Sequence, residues 1–256
     1  MIITMSIKQA ADALACVKEI RDPFLQDCLR DTRRGVREAA ERRLRALQKE
    51  EEAVRKFEEM SRYENRLRSE GFSLIAGIDE VGRGPLAGPV VAAAVILPQG
   101  FFLPGLNDSK QIPKQKLRYF YEYIREHALS IGVGIIHSDI IDEINIYQAA
   151  KSAMVQSIAD LADTPDYLLV DAMDLPAPFP QESIIKGDAA SISIAAASII
   201  AKITRDEMMK EYGIQFPQYN FANNAGYGTQ EHLKALDECG PTAWHRKSFG
   251  PVKAYI

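Results

Sequence analysis

The chain has 256 residues, of which 46% are hydrophobic and 26% charged, so it can bury a sizeable core in one or two domains. Its formal net charge of −4 offers no overall basic surface for nucleic acid, although an acidic site would offset basic contacts in that sum. The longest apolar stretches, 86–98 and 189–201, are shorter than the roughly 20 residues that cross a bilayer, and no signal-peptide pattern opens the chain. The three scattered cysteines indicate reduced thiols, so we expect a cytoplasmic protein.

Residues 1–70 are predicted to form a helical extension. Ser6 and Gln9 match a capping box, and Asp22-Pro23 matches an N-cap followed by proline at the first helical position. Residues 37–69 carry apolar side chains at helical spacing among many charges, which predicts a long charged helix. This helix is either a solvated helix or short coiled-coil arm, or a basic accessory arm for nucleic acid. The second alternative depends on a group of arginines, Arg30, Arg33, Arg34, Arg37, Arg42, Arg43 and Arg45.

Residues 71–256 alternate between short strands and helices. Strands are predicted at 72–79, 89–97, 131–136, 167–170 and 184–185. Helices are predicted at 113–127, 145–161 and 189–212. This rhythm predicts an α/β or α+β layered domain that follows the helical extension.

Four carboxylates lie at the boundaries of the predicted buried segments. Asp79 and Glu80 end the first strand, Asp171 ends a later one, and Asp188 directly precedes an apolar helix. Carboxylates at strand ends lie at the rim of a sheet, where they repel one another unless cations balance them. Mg²⁺ favours carboxylate oxygens and also binds substrate phosphate. Two such ions about 4 Å apart can activate a water and stabilise the departing oxygen in a displacement at phosphorus.

Each carboxylate also has a simpler interpretation. Asp188 could be the N-cap of the helix that follows it, and Asp171 could begin a turn. The pair Asp79 and Glu80 is harder to explain without a ligand, because adjacent acids after a buried strand need a compensating partner. The turn after them, Gly82-Arg83-Gly84, indicates close backbone contact with a polar ligand.

Taken together, these motifs resemble the signature of type 2 ribonuclease H, the bacterial ribonuclease HII family. The resemblance covers about residues 72–250, with the motifs in the family's order. The matching segments are Gly77-Ile78-Asp79-Glu80-Val81-Gly82-Arg83-Gly84-Pro85-Leu86-Ala87-Gly88-Pro89, Asn107-Asp108-Ser109-Lys110, Val170-Asp171-Ala172, Ile185-Lys186-Gly187-Asp188, Ala195-Ala196-Ala197-Ser198-Ile199-Ile200-Ala201-Lys202, Thr204-Arg205-Asp206, Gly226-Tyr227-Gly228-Thr229 and His245-Arg246.

The resemblance implies a ribonuclease H-like fold, a mixed sheet flanked by helices with a helical C-terminal part. It implies endonucleolytic cutting of RNA in RNA/DNA hybrids with Mg²⁺ or Mn²⁺, two ions in the active complex. It also implies nicking 5′ to single ribonucleotides embedded in duplex DNA, which leaves 3′-hydroxyl and 5′-phosphate ends. The four metal-binding carboxylates of the family fall on Asp79, Glu80, Asp171 and Asp188.

The resemblance also assigns substrate-reading roles. Gly82-Arg83-Gly84 reads the ribonucleotide, whose 2′-hydroxyl both donates and accepts hydrogen bonds. Tyr227 stacks on the sugar that follows, where a deoxyribose packs better. Further candidates for phosphate contacts are Ser109, Lys110, Lys202 and Arg205. Lys202 and Arg205 could instead pair with Asp206 along their helix. The sequence gives His232 and His245 no catalytic role.

Residues 1–70 are the main departure from the minimal family pattern. Related type 3 enzymes carry extensions built around a small sheet, so a helical extension favours type 2. We expect the extension to strengthen substrate binding, so that deleting it raises KM with little change in kcat. Alternatives are another metal nuclease on the same fold and a nonenzymatic nucleic-acid-binding module. We expect a monomer; the C-terminal residues 252–256 could anchor a sliding-clamp or polymerase partner or could pack on the core.

Overall fold

A computed structural model describes residues 5–109 and 112–256. The chain divides into two compact units, Met1–Glu58 and Glu59–Ile256. The described residues form five strands, β1 (Ile75–Val81), β2 (Val90–Ile96), β3 (Ser130–Ile136), β4 (Tyr167–Asp171) and β5 (Gln181–Ile184). They also form the helices α1 (Ile7–Ala15), α2 (Pro23–Leu29), α3 (Arg34–Met60), α4 (Arg62–Ser69), α5 (Lys114–His127), α6 (Ser138–Ile144), α7 (Ile146–Ala159), α8 (Ile192–Gln215), α9 (Phe221–Asn224), α10 (Gln230–Cys239) and α11 (Gly250–Lys253).

The first unit is helical, and its helices begin where the sequence predicts. Ser6 and Gln9 form the capping box of α1, and Asp22 caps α2 ahead of Pro23, so both predictions are confirmed. The predicted long helix is interrupted at Ser61, between α3 and α4. The three helices α1, α2 and α3 share one buried apolar cluster, made of Ala10, Leu14, Val17, Leu25, Cys28, Val36, Ala39, Ala40 and Leu47.

Some arginines of the first unit stabilise the unit itself. Arg33 pairs with Asp31 at 2.7 Å, and Arg43 donates two hydrogen bonds to the backbone carbonyl of Val17, at 2.9 and 2.6 Å. A side chain that holds a neighbouring loop is less free to contact a ligand. The prediction of a basic arm therefore depends mainly on the other arginines of this unit.

The second unit is built on one mixed sheet with the strand order β3-β2-β1-β4-β5. The pairs β1–β2 and β2–β3 are antiparallel, whereas β1–β4 and β4–β5 are parallel. Strand β2 is buried along its whole length, as its continuous apolar sequence predicts. Because β1 and β4 are neighbours and parallel, their carboxyl ends lie at the same edge of the sheet. The predicted mixed sheet flanked by helices is confirmed.

Two helices cover opposite faces of this sheet, and strand glycines let them approach closely. Ala76 of β1 packs in the cluster that includes α7, whereas Ile75 packs with Ile194 of α8. A Cβ atom on Gly77 of β1 would lie 2.1 Å from the backbone of Ser193, which opens α8. Such a distance is impossible for a side chain, so Gly77 sets the separation between β1 and α8.

Helix α4 belongs to the second unit and supports the start of α8. Leu67 is buried in the cluster that contains Ile194. The Oε1 atom of buried Glu64 accepts hydrogen bonds from the Ser191 hydroxyl at 2.6 Å and from the backbone N–H and hydroxyl of Ser193 at 3.0 and 2.5 Å. Since Ser191 is the N-cap of α8, Glu64 fixes the first turn of that helix.

The remaining predicted elements agree with the structure except near their ends. Ile185 lies beyond β5 and is 83% exposed, so its predicted strand position is wrong. At the C-terminus, Val252 is buried in an apolar cluster, whereas Ile256 is exposed. The tail therefore packs on the core at Val252. Among the described residues, no helix is both long and apolar enough to span a membrane.

Candidate active site

Three of the predicted carboxylates meet at the carboxyl edge of β1 and β4. Asp79 and Glu80 are close to the end of β1, and Asp171 is the last residue of β4. Carboxylate oxygens of these three residues all lie within 4.8 Å of one another. Asp79 is buried and the other two are half-buried. The parallel pairing of β1 and β4 therefore brings together residues that are about ninety positions apart in the chain.

The electrostatics of this cluster are unfavourable for three bare negative charges. Burial raises the pKa of Asp79 well above its ordinary value, and the charges of Glu80 and Asp171 raise it further. Burial likewise raises the pKa of Glu80 to about 7, with Arg83 lowering it and Asp171 raising it. One buried oxygen of Glu80, Oε2, has no hydrogen-bond partner among the described residues. Crowded oxygens with a free lone pair fit a hard divalent cation such as Mg²⁺ or Mn²⁺.

Asp188 lies near this cluster but outside the group of three. It belongs to a short 3₁₀ helix, Gly187–Ala189, and its charge raises the pKa of Asp79. The N–H of Gly187 donates to Asp171 Oδ1 at 2.6 Å, which ties this segment to the end of β4. Because Ser191 caps α8, the alternative interpretation of Asp188 as that N-cap is wrong.

The turn 82–84 follows the first two carboxylates directly. Gly82 is buried with φ of +93°, and a Cβ there would lie 2.3 Å from the Arg205 side chain, so only glycine fits. Arg83 and Gly84 are exposed, and Arg83 Nη1 lies 3.3 Å from Glu80 Oε1. The turn thus presents exposed backbone beside the carboxylates.

Tyr227 lies next to this turn. The residue is 47% exposed, and a Cβ built on Gly84 would lie 3.5 Å from the Cε1 atom of its ring. The structure therefore brings together the two predicted substrate-reading elements, which are separated by more than 140 residues in the sequence. An exposed aromatic ring beside an open glycine backbone offers a flat surface for a sugar.

The predicted phosphate contacts have different surroundings. The Ser109 hydroxyl is buried, 3.0 Å from that of Ser198 on α8, and the Ser198 side chain lowers the pKa of Asp79. Lys202 Nζ contacts Asp206 at 2.5 Å and lines a cleft of about 630 Å³ that also reaches Tyr227. Lys110 lies outside the described residues. Ser198 is a contact that sequence reasoning missed, although it stands within a matched motif.

Arg205 requires a correction. Its side chain is 1% exposed and donates to the backbone carbonyls of Pro89, Ala225 and Ala87 at 2.9, 2.9 and 3.1 Å. The alternative that Arg205 pairs with Asp206 is wrong, because residues i and i+1 of a helix point in different directions. For Lys202 the same alternative is confirmed, since Lys202 forms that ion pair. The buried guanidinium supports the loop after the turn and cannot reach a phosphate without unfolding that loop.

Solved structures show which fold this is. The crystal structure of the ribonuclease H2 from Pyrococcus horikoshii OT3 matches with a TM-score of 0.61 at 21% identity, covering 71% of this chain and 96% of that chain. A crystal structure of Bst-RNase HIII in complex with Mn²⁺ gives a TM-score of 0.54 at 18% identity, covering 72% and 69%. These two likenesses show that the second unit has the fold of the ribonuclease H class of proteins, with the carboxylate cluster at the edge of its sheet.

Sequence comparison gives the family. The family model described as ribonuclease HII matches residues 76–252, and the model of the ribonuclease HII N-terminal domain matches residues 6–68. The ribonuclease HII of Bacillus cereus (strain B4264) is 53% identical over 253 residues, covering 99% of this chain and 98% of that protein. The chain belongs to the ribonuclease HII family and is an endonuclease that acts on the RNA of RNA/DNA hybrids. The resemblance found in the motifs is confirmed.

Proposed function

We propose that this enzyme, besides cutting RNA in hybrids, nicks duplex DNA on the 5′ side of a single embedded ribonucleotide. The products would carry 3′-hydroxyl and 5′-phosphate ends, as ribonucleotide excision repair and primer removal require. One observation carries the proposal: the exposed ring of Tyr227 lies beside Gly84, in the turn that directly follows Asp79 and Glu80. This arrangement provides one surface for a ribonucleotide and an adjacent surface for the next sugar.

In this proposal Asp79, Glu80, Asp171 and Asp188 hold two Mg²⁺ or Mn²⁺ ions. When bound, the ions would supply an activated water and stabilise the charge on the departing oxygen. Support comes from the raised pKa values of Asp79 and Glu80 and from the unpartnered Glu80 Oε2. The Mn²⁺ complex of Bst-RNase HIII, a protein of the same fold, adds further support.

The residues of the chain itself would orient the substrate. The exposed backbone at Gly84 would approach the 2′-hydroxyl, which only a ribonucleotide carries. Tyr227 would pack on the next sugar, where a 2′-hydroxyl fits less well. Lys202, at the cleft, would contact a phosphate and so fix the register of the duplex. Ser109 would act indirectly by orienting Ser198, whose side chain lowers the pKa of Asp79.

The experiment that tests this function uses a labelled DNA duplex with one ribonucleotide, incubated with Mg²⁺, Mn²⁺ or EDTA. We expect metal-dependent nicking at the 5′ side of the ribonucleotide and none in an all-DNA duplex. Asp79→Asn should lower kcat by at least about a hundredfold, because it removes a charge on which metal binding depends. Asp174→Asn, at an exposed position outside the cluster, is the matched control and should leave kcat unchanged.

Two results would contradict the proposal. Nicking that survives Asp79→Asn would exclude the carboxylate cluster as the active site. Cutting of long hybrids without nicking at a single ribonucleotide would restrict the enzyme to the hybrid activity of its family. We also expect a monomer in the cytoplasm, and light scattering of the purified enzyme tests the monomer.

A further inference from the structure

Residues 242–246, here called the strap, run beside the segment that follows the substrate-reading turn. The N–H of Gly88 donates to the carbonyl of Trp244 at 2.8 Å, and the N–H of Arg246 donates to the carbonyl of Leu86 at 2.8 Å. Ala87 and His245 form an antiparallel bridge between these two bonds. The strap is therefore paired as a short strand with residues 86–88.

Arg246 extends from the strap beneath the turn. It is fully buried, and it donates to the carbonyls of Gly82 at 2.5 Å, Arg83 at 2.9 Å and Gly88 at 2.9 and 3.0 Å. Burial lowers the pKa of Arg246 to about 9, so it remains a cation at neutral pH. In a trans peptide the C=O and the following N–H point in opposite directions. Holding the carbonyls of Gly82 and Arg83 inward thus turns the next two N–H groups away from Arg246, toward the exposed side.

The strap also reaches Tyr227 through two buried histidines whose hydrogen bonds define their tautomers. His232 Nδ1 lies 2.9 Å from the Tyr227 carbonyl, which can only accept, so this nitrogen carries a proton. His232 Nε2 then accepts from His245 Nε2, 2.9 Å away. His245 Nδ1 is left as an acceptor, and the N–H of Thr242 donates to it at 2.9 Å. Each ring in this chain is neutral and has one permitted orientation.

We propose that the strap and His232 form a positioning unit that fixes Tyr227 relative to the turn at Gly82, Arg83 and Gly84. Arg246 holds one reading element and the His245–His232 pair holds the other, so the spacing between ribonucleotide and next sugar is set from a single segment. The two histidines are positioning residues, since both are buried and a bound substrate could not reach them. The inference rests on the proposed function, because Tyr227 must read a sugar for its position to matter.

The test replaces His245 and measures a ratio of activities. His245→Phe keeps a ring but removes the hydrogen bonds to His232 and Thr242, and His245→Gln retains a donor and an acceptor. The ratio compares kcat/KM for a single ribonucleotide in DNA with kcat/KM for an all-RNA hybrid. For His245→Phe we expect this ratio to fall about tenfold, because the hydrogen bond from His245 to His232, which links the strap to Tyr227, is lost. His245→Gln should restore most of the ratio, and His127→Phe, at an exposed position on α5, should leave it unchanged.

A double-mutant cycle shows whether the effect passes through Tyr227. In a Tyr227→Ala background, His245→Phe should change the ratio no further. Simple loss of folded enzyme would lower both activities by the same factor and leave the ratio intact. An unchanged ratio in His245→Phe, or fully additive effects in the double variant, would overturn the inference.

The positioning unit can also be tested if the single-ribonucleotide activity is absent or if His245→Phe does not fold. A wild-type enzyme that does not nick at the single ribonucleotide would refute the proposed function, and the same double-mutant cycle would then be measured from KM on the hybrid. If His245→Phe does not fold, ¹⁵N NMR of the wild-type imidazoles decides. It should detect a proton on Nδ1 of His232 and on Nε2 of His245, and the opposite tautomers would exclude the hydrogen-bond chain.

Discussion

At the scale of single residues, Asp79 combines the strongest burial with the greatest crowding of charge in the candidate site. Its carboxylate is 5% exposed and has two acidic neighbours within 4.8 Å. Repulsion inside the protein destabilises the folded state when no cation is bound. We therefore expect Asp79→Asn to raise the melting temperature in EDTA by a few degrees, as measured by calorimetry at pH 7.5.

The same substitution should remove most of the stabilisation by metal. For the wild-type enzyme, Mg²⁺ at a hundred times its dissociation constant should add about 2.7 kcal/mol to the unfolding free energy. Asp79→Asn should show only a small fraction of that shift, whereas Asp174→Asn should retain all of it. A wild-type melting temperature that does not respond to Mg²⁺ or Mn²⁺ would show that the cluster binds no metal in the free enzyme.

At the scale of elements, the division between the two compact units falls at residue 58, so α4 belongs to the unit that carries the candidate active site. From the sequence alone, deleting residues 1–70 is expected to raise KM with little change in kcat. That deletion also removes Leu67 from the core and Glu64 from the first turn of α8. It should cost at least about 3 kcal/mol of unfolding free energy and lower kcat, because α8 carries Ser198 beside Asp79. Deleting residues 1–58 leaves α4 in place and should raise KM with little change in kcat.

A substitution in the full chain separates the loss of support for α8 from the loss of substrate binding by the first unit. Glu64→Ala leaves two serine hydroxyls and one N–H without their acceptor, which should cost about 2 kcal/mol in urea unfolding. Its KM should remain that of the wild type, because the first unit is intact. Glu38→Ala, at a partly exposed position on α3, is the control and should change the unfolding free energy by less than about 0.5 kcal/mol. A raised KM in Glu64→Ala would contradict the separation of roles.

At the scale of the whole molecule, the features that the sequence predicts are those that depend on local spacing. Helix caps, strand-end carboxylates and the glycine turn are each encoded by a few consecutive residues. The contacts that support the site join residues that are far apart in the sequence. Arg246 and Gly82 are 164 positions apart, and Glu64 and Ser191 are 127 positions apart. Such pairs depend on how strands and helices pack. The nearness of Tyr227 to the turn was expected only through the resemblance to a family.

The buried histidines and the buried carboxylates change the stability of the protein in opposite directions as the pH changes. Burial and the neighbouring His232 lower the pKa of His245 from 6.5 to about 4, and burial also lowers the pKa of His232. Tyr219 and Phe221 pack against both rings, so a charge on either imidazole would be surrounded by aromatic side chains. Between pH 6.5 and 4 the unfolded chain binds more protons than the folded chain, so the histidine contribution to stability falls as the pH falls. Asp79 and Glu80 have raised pKa values, so their contribution to the stability of the protein falls as the pH rises.

The histidine contribution can be isolated by comparing variants in EDTA. Because His245 binds a proton more readily in the unfolded chain, its titration alone should lower the unfolding free energy by about 2 kcal/mol at pH 5. At pH 8 this loss is negligible. In the double variant His232→Gln and His245→Gln, urea unfolding should therefore show a smaller decline from pH 8 to pH 5. His127→Gln should follow the wild-type curve, because that ring is exposed. If the double variant declines as steeply as the wild type, the buried pair is not kept neutral by the fold. The tautomers deduced for the positioning unit would then be incorrect as well, since a ring that charges freely cannot accept the hydrogen bond that links the strap to Tyr227.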